Sequence, residues 1–465
     1  MKAKSVPSSW LERDGRRLDC NPYMSGALEA KVLLEGLKAR KDPLRNVTLN
    51  GMAGIFNGPR FARSYVDDPN AGVPFLGSTD ILNADLTNLP RLSKKQVAAN
   101  PRLVVHSDWT LITCSGTIGR MAYARPDMEG MAGSQHFMRV VPDAEKIPPG
   151  YLYAYLSSKF GVPIVVGGTY GAIIQHIEPE HIANLPVPRL GKKVEQEIHD
   201  LVESAASNRS RAHQLRVDAQ ASFYRQFSLS DLSDADTAVN FAVFSVQASS
   251  LRRLDAAHHS PACRAAADEL ASRGDTRRLD EVARVFTPGI FKRIHVDDPS
   301  YGYPYFSGTE LFQYDPEPRG HLSRRAPKIE DYIVRENWLL IQDAGQLEGL
   351  IGRLVRATPA VDKSVVSNHL MRIAPEDAET AAYLSVVLSS PHGYRAITRN
   401  AFGSSIPQLD PAHIGALRLP WPSSAVRKRI AEPVLESWKL EDEASASVRS
   451  ATKKVEHAIE KGATN

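Results

Sequence analysis

The strongest constraint on this chain is that most of its sequence occurs twice. Val66-Asp67-Asp68-Pro69 returns 230 residues later as Val296-Asp297-Asp298-Pro299, and Gly72-Val73-Pro74-Phe75 returns at the same shift as Gly302-Tyr303-Pro304-Tyr305. Trp109 pairs with Trp338 and Gly116 with Gly345; a four-residue insertion then moves the register, so that Ile118-Gly119-Arg120 falls on Ile351-Gly352-Arg353. Ser134-Gln135-His136-Phe137-Met138-Arg139-Val140 falls on Ser367-Asn368-His369-Leu370-Met371-Arg372-Ile373. Gly171, Pro179, His181-Ile182, Leu185 and Pro188 fall on Gly403, Pro411, His413-Ile414, Leu417 and Pro420, and the leader Arg16-Arg17-Leu18-Asp19 answers Arg252-Arg253-Leu254-Asp255. A period near 230 residues is too long for a solenoid unit, so each copy is expected to fold as a domain of its own, giving a pseudo-twofold molecule with two similar surfaces.

The 465 residues, 42% apolar and 24% charged, suit a folded multidomain protein and exclude wholesale disorder. A net charge of +4 favours a nucleic-acid partner only mildly. Cys20, Cys114 and Cys263 are far apart, which fits a reducing cytoplasm and argues against structural zinc. No stretch has 18 consecutive apolar residues and none reads as a signal peptide, so neither membrane nor export is expected.

Each copy opens with a polar helical leader, residues 25–37 in the first. Short β segments broken by Gly and Pro follow at 73–77, 103–105, 109–113, 121–123 and 137–141, and residues 151–160 read as a helix. This is an α+β pattern built on a curved, mostly antiparallel sheet. Each copy ends differently. Residues 192–227 carry apolar side chains at three- and four-residue steps with no Pro or Gly, and 424–461 repeat the pattern around Pro433. A helix of about 36 residues is roughly 54 Å long and needs a partner along its length. The expected division is a first domain with its leader at 1–190, long helix 191–227, linker 228–250, second domain 251–422 and long helix 423–465.

Globular domain, long helix, globular domain, long helix, related by duplication, resembles the specificity subunit of type I restriction-modification enzymes. Four features carry the resemblance: the Arg253-Leu254-Asp255-Ala256-Ala257-His258-His259-Ser260-Pro261 leader, the strand-turn-strand at 111–124, the Ser134-Gln135-His136 strand, and Leu185-Pro186-Val187-Pro188 before a long helix. The resemblance implies two target-recognition domains with their long helices packed as an antiparallel coiled coil. It implies a non-catalytic subunit without cofactor, reading a split double-stranded DNA target. It also implies two methyltransferase subunits and restriction/translocase subunits as partners. Copy two departs at the turn, where Gln342-Asp343-Ala344-Gly345-Gln346-Leu347-Glu348-Gly349 replaces Thr113-Cys114-Ser115-Gly116-Thr117, which suggests two different half-sites.

Rival chemistry is weakly supported. Asn21-Pro22-Tyr23-Met24 lacks the second proline of an amino-methyltransferase loop, and no Gly-rich cofactor loop is evident upstream. Pro126-Asp127 and Asp143-Ala144-Glu145-Lys146 invite a nuclease reading, but copy two aligns no carboxylate pair there. Gly116-Thr117-Ile118-Gly119 lacks the Gly-Lys ending of a phosphate loop, and His258-His259, His181 and His413 have no ligand partners at metal spacing. A tandem scaffold that binds only protein is the remaining alternative. For DNA contact, the hairpin residues Ser115, Thr117 and Arg120, with Gln346 and Arg353 in copy two, are candidates for base edges. The basic groups Arg91, Lys94, Lys95 and Arg324, Arg325, Lys328 occupy the same region of each copy and suit phosphate. Gln135 and Asn368 are matched, facing either a groove or the sheet interior.

Overall fold

The computed structural model describes residues 4–13, 21–87, 89–115, 118–167, 176–232, 243, 245, 253, 257–346, 349–403 and 405–464. The chain divides into two compact units, Met1–His213 with Glu443–Asn465, and Gln214–Asp442. Both long helices, Lys192–Phe227 and Ser424–Thr464, therefore contribute one part to each unit. Their boundaries follow from the sequence: no breaker lies inside the first, and the second runs on through Pro433.

In the first unit β2 (Ile55–Asn57), β8 (Phe137–Val140), β5 (Thr110–Thr113) and β6 (Met121–Tyr123) form an antiparallel sheet in that order. A smaller sheet has β4 (Arg91–Ser93), β3 (Gly72–Leu76) and β7 (Ala132–Gly133), the last pair parallel. β1 (Lys41–Pro43) and β9 (Pro186–Pro188) pair where the chain enters and leaves the head. One apolar core runs from the large sheet through Tyr151, Leu152 and Tyr155 to Ile198, Val202 and Ala205 of the first long helix. Ala444, Val448, Ala451, Val455 and Ile459 of the second long helix complete it.

The second unit repeats this plan. β11 (Ala283–Phe286), β18 (Leu370–Pro375), β15 (Leu339–Gln342) and β16 (Leu354–Arg356) form the large sheet, and β10 (Thr276–Arg278) pairs β19 (Arg418–Pro420). Its smaller sheet, β12 (His295–Val296), β14 (Gly320–Ser323), β13 (Gly302–Phe306) and β17 (Val365–Val366), has one strand more. Even this extra strand has a trace in the first unit, since Tyr65 bridges Leu92 as His295 pairs with Leu322. Tyr151 donates its hydroxyl to the Pro188 carbonyl, and Tyr383 donates to Pro420 in the same way. Within this unit the two helix segments run antiparallel, with Arg216 on Glu441 and Arg429 on Gln226. Phe223, fully buried, packs among Ala219, Phe227, Ile430, Val434 and Trp438. Phe223→Ala is expected to cost about 3–5 kcal/mol, read as a lower urea midpoint of the full chain.

Two expectations need correction. Residues 103–105 do not form a strand: Pro101 starts a single helical turn, Pro101–Leu103, and Val104 makes one isolated bridge to Ala132. The helix expected over 151–160 ends at Leu156, as Pro149–Leu156, and a second helix, Gly161–Gly167, follows it, because Ser158 Oγ accepts the Gly161 N–H and starts a new turn. The second unit splits at the same place, Ser390 Oγ accepting from Gly393. The Arg16-Arg17-Leu18-Asp19 leader and Gly171 lie outside the described residues, as do most of the 228–250 linker and Arg252, Leu254 and Asp255 of the second leader.

Candidate nucleic-acid interface

At the end of each large sheet a buried arginine shapes a turn. Arg139 sits on β8 in an otherwise apolar strand and is fully buried, as is Arg372 on β18. Arg139 donates to the carbonyls of Gly133, Ser134 and Phe137, each at 2.8 Å. Arg372 donates to the matching carbonyls of Val366, Ser367 and Leu370. Burial lowers both guanidinium pKa values, to about 9 and about 10, so each remains a cation at neutral pH. A Cβ on Gly133 would lie 2.5 Å from Arg139 Nη2 and 2.4 Å from the Phe137 ring, so a larger residue there requires those side chains to shift, whereas the second head builds its seat with Val366 at the aligned place. The product is a turn that presents half-buried Gln135 and exposed His136 in the first head and exposed His369 in the second, where Asn368 is buried.

A second arginine reaches each turn from the loop before the small sheet. Arg63 lies over the Phe75 ring at 5.0 Å and donates to Gln135 Oε1 at 3.0 Å. Arg293 lies over Tyr305 at 5.4 Å and reaches Asn368 Oδ1 at 3.4 Å. Ser115 Oγ is 2.7 Å from His136 Nδ1, and Gln135 Nε2 is 3.0 Å from His136 Nε2. Partial burial and the neighbouring Arg63, His176 and Arg60 lower the His136 pKa, which favours a neutral ring able both to donate and to accept.

Beneath this shared frame the two heads differ. Cys114 in the first is 3.8 Å from Asn57, and burial raises its thiol to about 11. At the aligned place the second has Asp343, 6% exposed, 3.5 Å from His369 and 3.4 Å from Thr287 Oγ1. Burial raises the Asp343 pKa to about 6 against the pull of His369. The folded state thus holds the Asp343 proton more tightly than the unfolded chain. This contribution to stability is full below about pH 4 and is lost as pH rises through 6. Asp343→Asn is expected to flatten the loss of stability between pH 4 and 7, measured as urea midpoints across that range.

The basic residues expected from sequence flank the cluster. Lys94 and Lys95 are exposed in the first turn after β4, where half-buried Arg91 lies opposite Pro74. Ser93 N–H donates to the Ser64 carbonyl at 3.0 Å and Gln96 Nε2 to Ala62 at 2.6 Å, which ties this basic turn to the loop carrying Arg63. Ser323 N–H donates likewise to Ile294 at 2.8 Å, placing Arg324 and Arg325 beside the Arg293 loop. Arg324 lies 5.0 Å over Tyr303, and Lys328 stands exposed at a positive φ of 56°.

Of the hairpin candidates, Ser115 joins the cluster. Arg120 is half-buried, with its backbone N–H on Thr113 Oγ1 at 2.9 Å. Gln346 is exposed and donates to the Ser405 carbonyl at 3.0 Å, while Arg353 stacks on Tyr394 of its own head at 4.5 Å. Thr117 lies outside the described residues. Sequence reasoning missed Arg63, Arg293, His136 and His369; the signal was that both arginines precede the repeated Val-Asp-Asp-Pro segment at one shift.

The other polar groups have local partners. Asp127 takes both Nε and Nη2 of Arg125 at 3.0 Å, Asp143 pairs with Lys146 at 2.7 Å, and His181 Nδ1 caps its helix by accepting from Glu178 N–H at 3.1 Å. His258 contacts the Arg399 carbonyl at 3.2 Å and His259 that of Arg253 at 2.6 Å. Among the described residues no group of three or more His, Cys, Asp and Glu side chains is placed to hold a metal ion, and no helix is long and apolar enough to cross a membrane.

The fold and site define a duplicated α+β protein whose two heads carry matched polar clusters. No family model matches the chain, and no curated protein matches it in sequence. Among solved structures it is similar to the S subunit of a type-I restriction-modification system from M. genitalium, at 13% identity and a TM-score of 0.36, covering 92% of this chain and 96% of that one. It is also similar to the HsdS subunit from Thermoanaerobacter tengcongensis, at 15% identity and a TM-score of 0.28, with coverages of 90% and 96%. A chain from a structure of complex assembly and conformational transition of the type I R-M system gives 15%, 0.26, 90% and 97%.

Proposed function

We propose that this chain is the DNA-recognition subunit of a type I restriction-modification assembly, with each head reading one half of a split target. The observation that carries the reading is the repeated arginine, amide and histidine cluster, built on the same frame in both heads and carrying different side chains at its base. Side chains of this kind match base edges in the major groove, where arginine reads guanine and glutamine or asparagine reads adenine. The flanking lysines and arginines suit phosphate, and the long helices suit a spacer between two heads. Adenine-methyltransferase subunits and restriction/translocase subunits are the partners this role requires, in a cytoplasmic complex whose chemistry those subunits supply.

The chain together with modification subunits is expected to bind one bipartite duplex far more tightly than unrelated duplexes, with affinity falling as salt rises. Equal affinity for many unrelated duplexes overturns the reading. Replacing residues 45–190 by the corresponding domain of another specificity subunit is expected to change one half-site only. Lys94→Ala with Lys95→Ala is expected to weaken binding evenly across sequences and lower the salt slope by about 1 per lost phosphate contact, seen in filter binding at several salt concentrations.

A further inference from the structure

The loop that carries Arg63 or Arg293 holds one side chain at its tip in each head. Gly58-Pro59-Arg60-Phe61-Ala62-Arg63 aligns with Pro288-Gly289-Ile290-Phe291-Lys292-Arg293. Phe61 packs beside Phe75 and Leu92 on the small sheet's core, and Phe291 packs beside Tyr305 and Leu322 in the same way. In the second head the Phe291 and Tyr332 ring centroids are 3.8 Å apart, and the Tyr332 hydroxyl donates to the Gly289 carbonyl at 2.7 Å. With both neighbours pinned, Ile290 points outward and is 92% exposed, beside exposed Lys292 and Arg293. The aligned tip of the first head, Arg60, is exposed too.

A branched apolar side chain beside Lys292 and Arg293, with partly exposed Ile294 further along the loop, offers too little contiguous apolar area for a protein-docking patch. It suits a polyanion that offers a small apolar target, and the thymine 5-methyl group is that target in the major groove. Resting on the recognition role above, we propose that Ile290 packs against a thymine methyl in the second half-site while Arg60 takes guanine acceptors in the first. The two heads then use one loop position to read opposite chemistry.

The test uses the full chain with its modification subunits. The target is first mapped from the positions of methylated adenines, then each thymine of the second half-site is replaced in turn by deoxyuridine, which removes only the methyl. One replacement is expected to weaken wild-type binding about fourfold, the effect of one buried methyl group, and Ile290→Ala is expected to abolish that difference. Arg60→Ala is expected to lose about tenfold discrimination for guanine at one first-half position and leave deoxyuridine sensitivity intact. Wild type indifferent to every deoxyuridine, or Ile290→Ala still sensitive, overturns the proposal while the recognition role stands. Loss of subunit assembly in Ile290→Ala with unchanged DNA preference also overturns it, marking the tip as a protein contact. Absence of any mapped target overturns the recognition role itself.

Discussion

Arg139→Met is expected to destabilise the first unit by about 3 kcal/mol or more and to erase recognition of one half-site. The Arg139 side chain is fully buried and satisfies the carbonyls of Gly133, Ser134 and Phe137. Methionine fills much of the space but donates no hydrogen bond, and each buried carbonyl left without a partner costs about 1–3 kcal/mol. Lysine is no substitute, because one ammonium cannot reproduce a planar fork that meets carbonyls through two nitrogens. The turn carrying Gln135 and His136 loses its support in the variant, so the functional loss exceeds that of removing Gln135 alone. Calorimetric unfolding and duplex binding check both parts. Arg372→Met is the matched control and is expected to erase the other half-site. If either variant lost both half-sites while remaining folded, the buried arginines would not act head by head.

Arg63→Ala and Arg293→Ala are each expected to lower specific affinity by about 10- to 100-fold, as loss of one bidentate base contact costs about 1–3 kcal/mol. Each arginine is held over an aromatic ring and against an amide oxygen, so its fork is ordered before a ligand arrives. The Arg63 contact with Gln135 is 3.0 Å and the Arg293 contact with Asn368 is 3.4 Å. Competition assays with duplexes altered at single positions check the effect. Discrimination should relax at a limited set of positions in one half-site, whereas an even loss across all sequences would assign these arginines to phosphate.

The sequence exposed the large-scale plan because duplication and helix periodicity are regular signals. Residues 192–227 lack breakers and carry apolar side chains at helical steps, and the helix spans those residues. The polar clusters were harder to see, because Arg63 meets Gln135 across 72 positions and Arg293 meets Asn368 across 75. Only strand pairing brings such distant residues together, and propensity says nothing about it. Arg139 was readable in principle, as one arginine inside the apolar segment Phe137-Met138-Arg139-Val140, yet β propensity alone treats it as an outward residue. The hairpin turn carries side chains of the donor types that suit base edges, while in the first head it is the neighbouring turn at Ser134-Gln135-His136 that presents the amide and the imidazole. Arg353 shows the opposite limit: its alignment with Arg120 is secure, but stacking on Tyr394 commits it to its own head.

The division of the long helices between units bears on the order in which the protein is made. The second unit is one contiguous stretch, Gln214–Asp442, whereas the first needs Glu443–Asn465 to finish its core. During synthesis, the face bearing Ile198, Val202 and Ala205 stays without Val448, Val455 and Ile459 until more than two hundred further residues have been added. At about 5–20 residues per second that wait lasts on the order of 10–50 s. The head translated first is thus completed last, and an apolar helix face on the nascent chain must be shielded from aggregation throughout that interval.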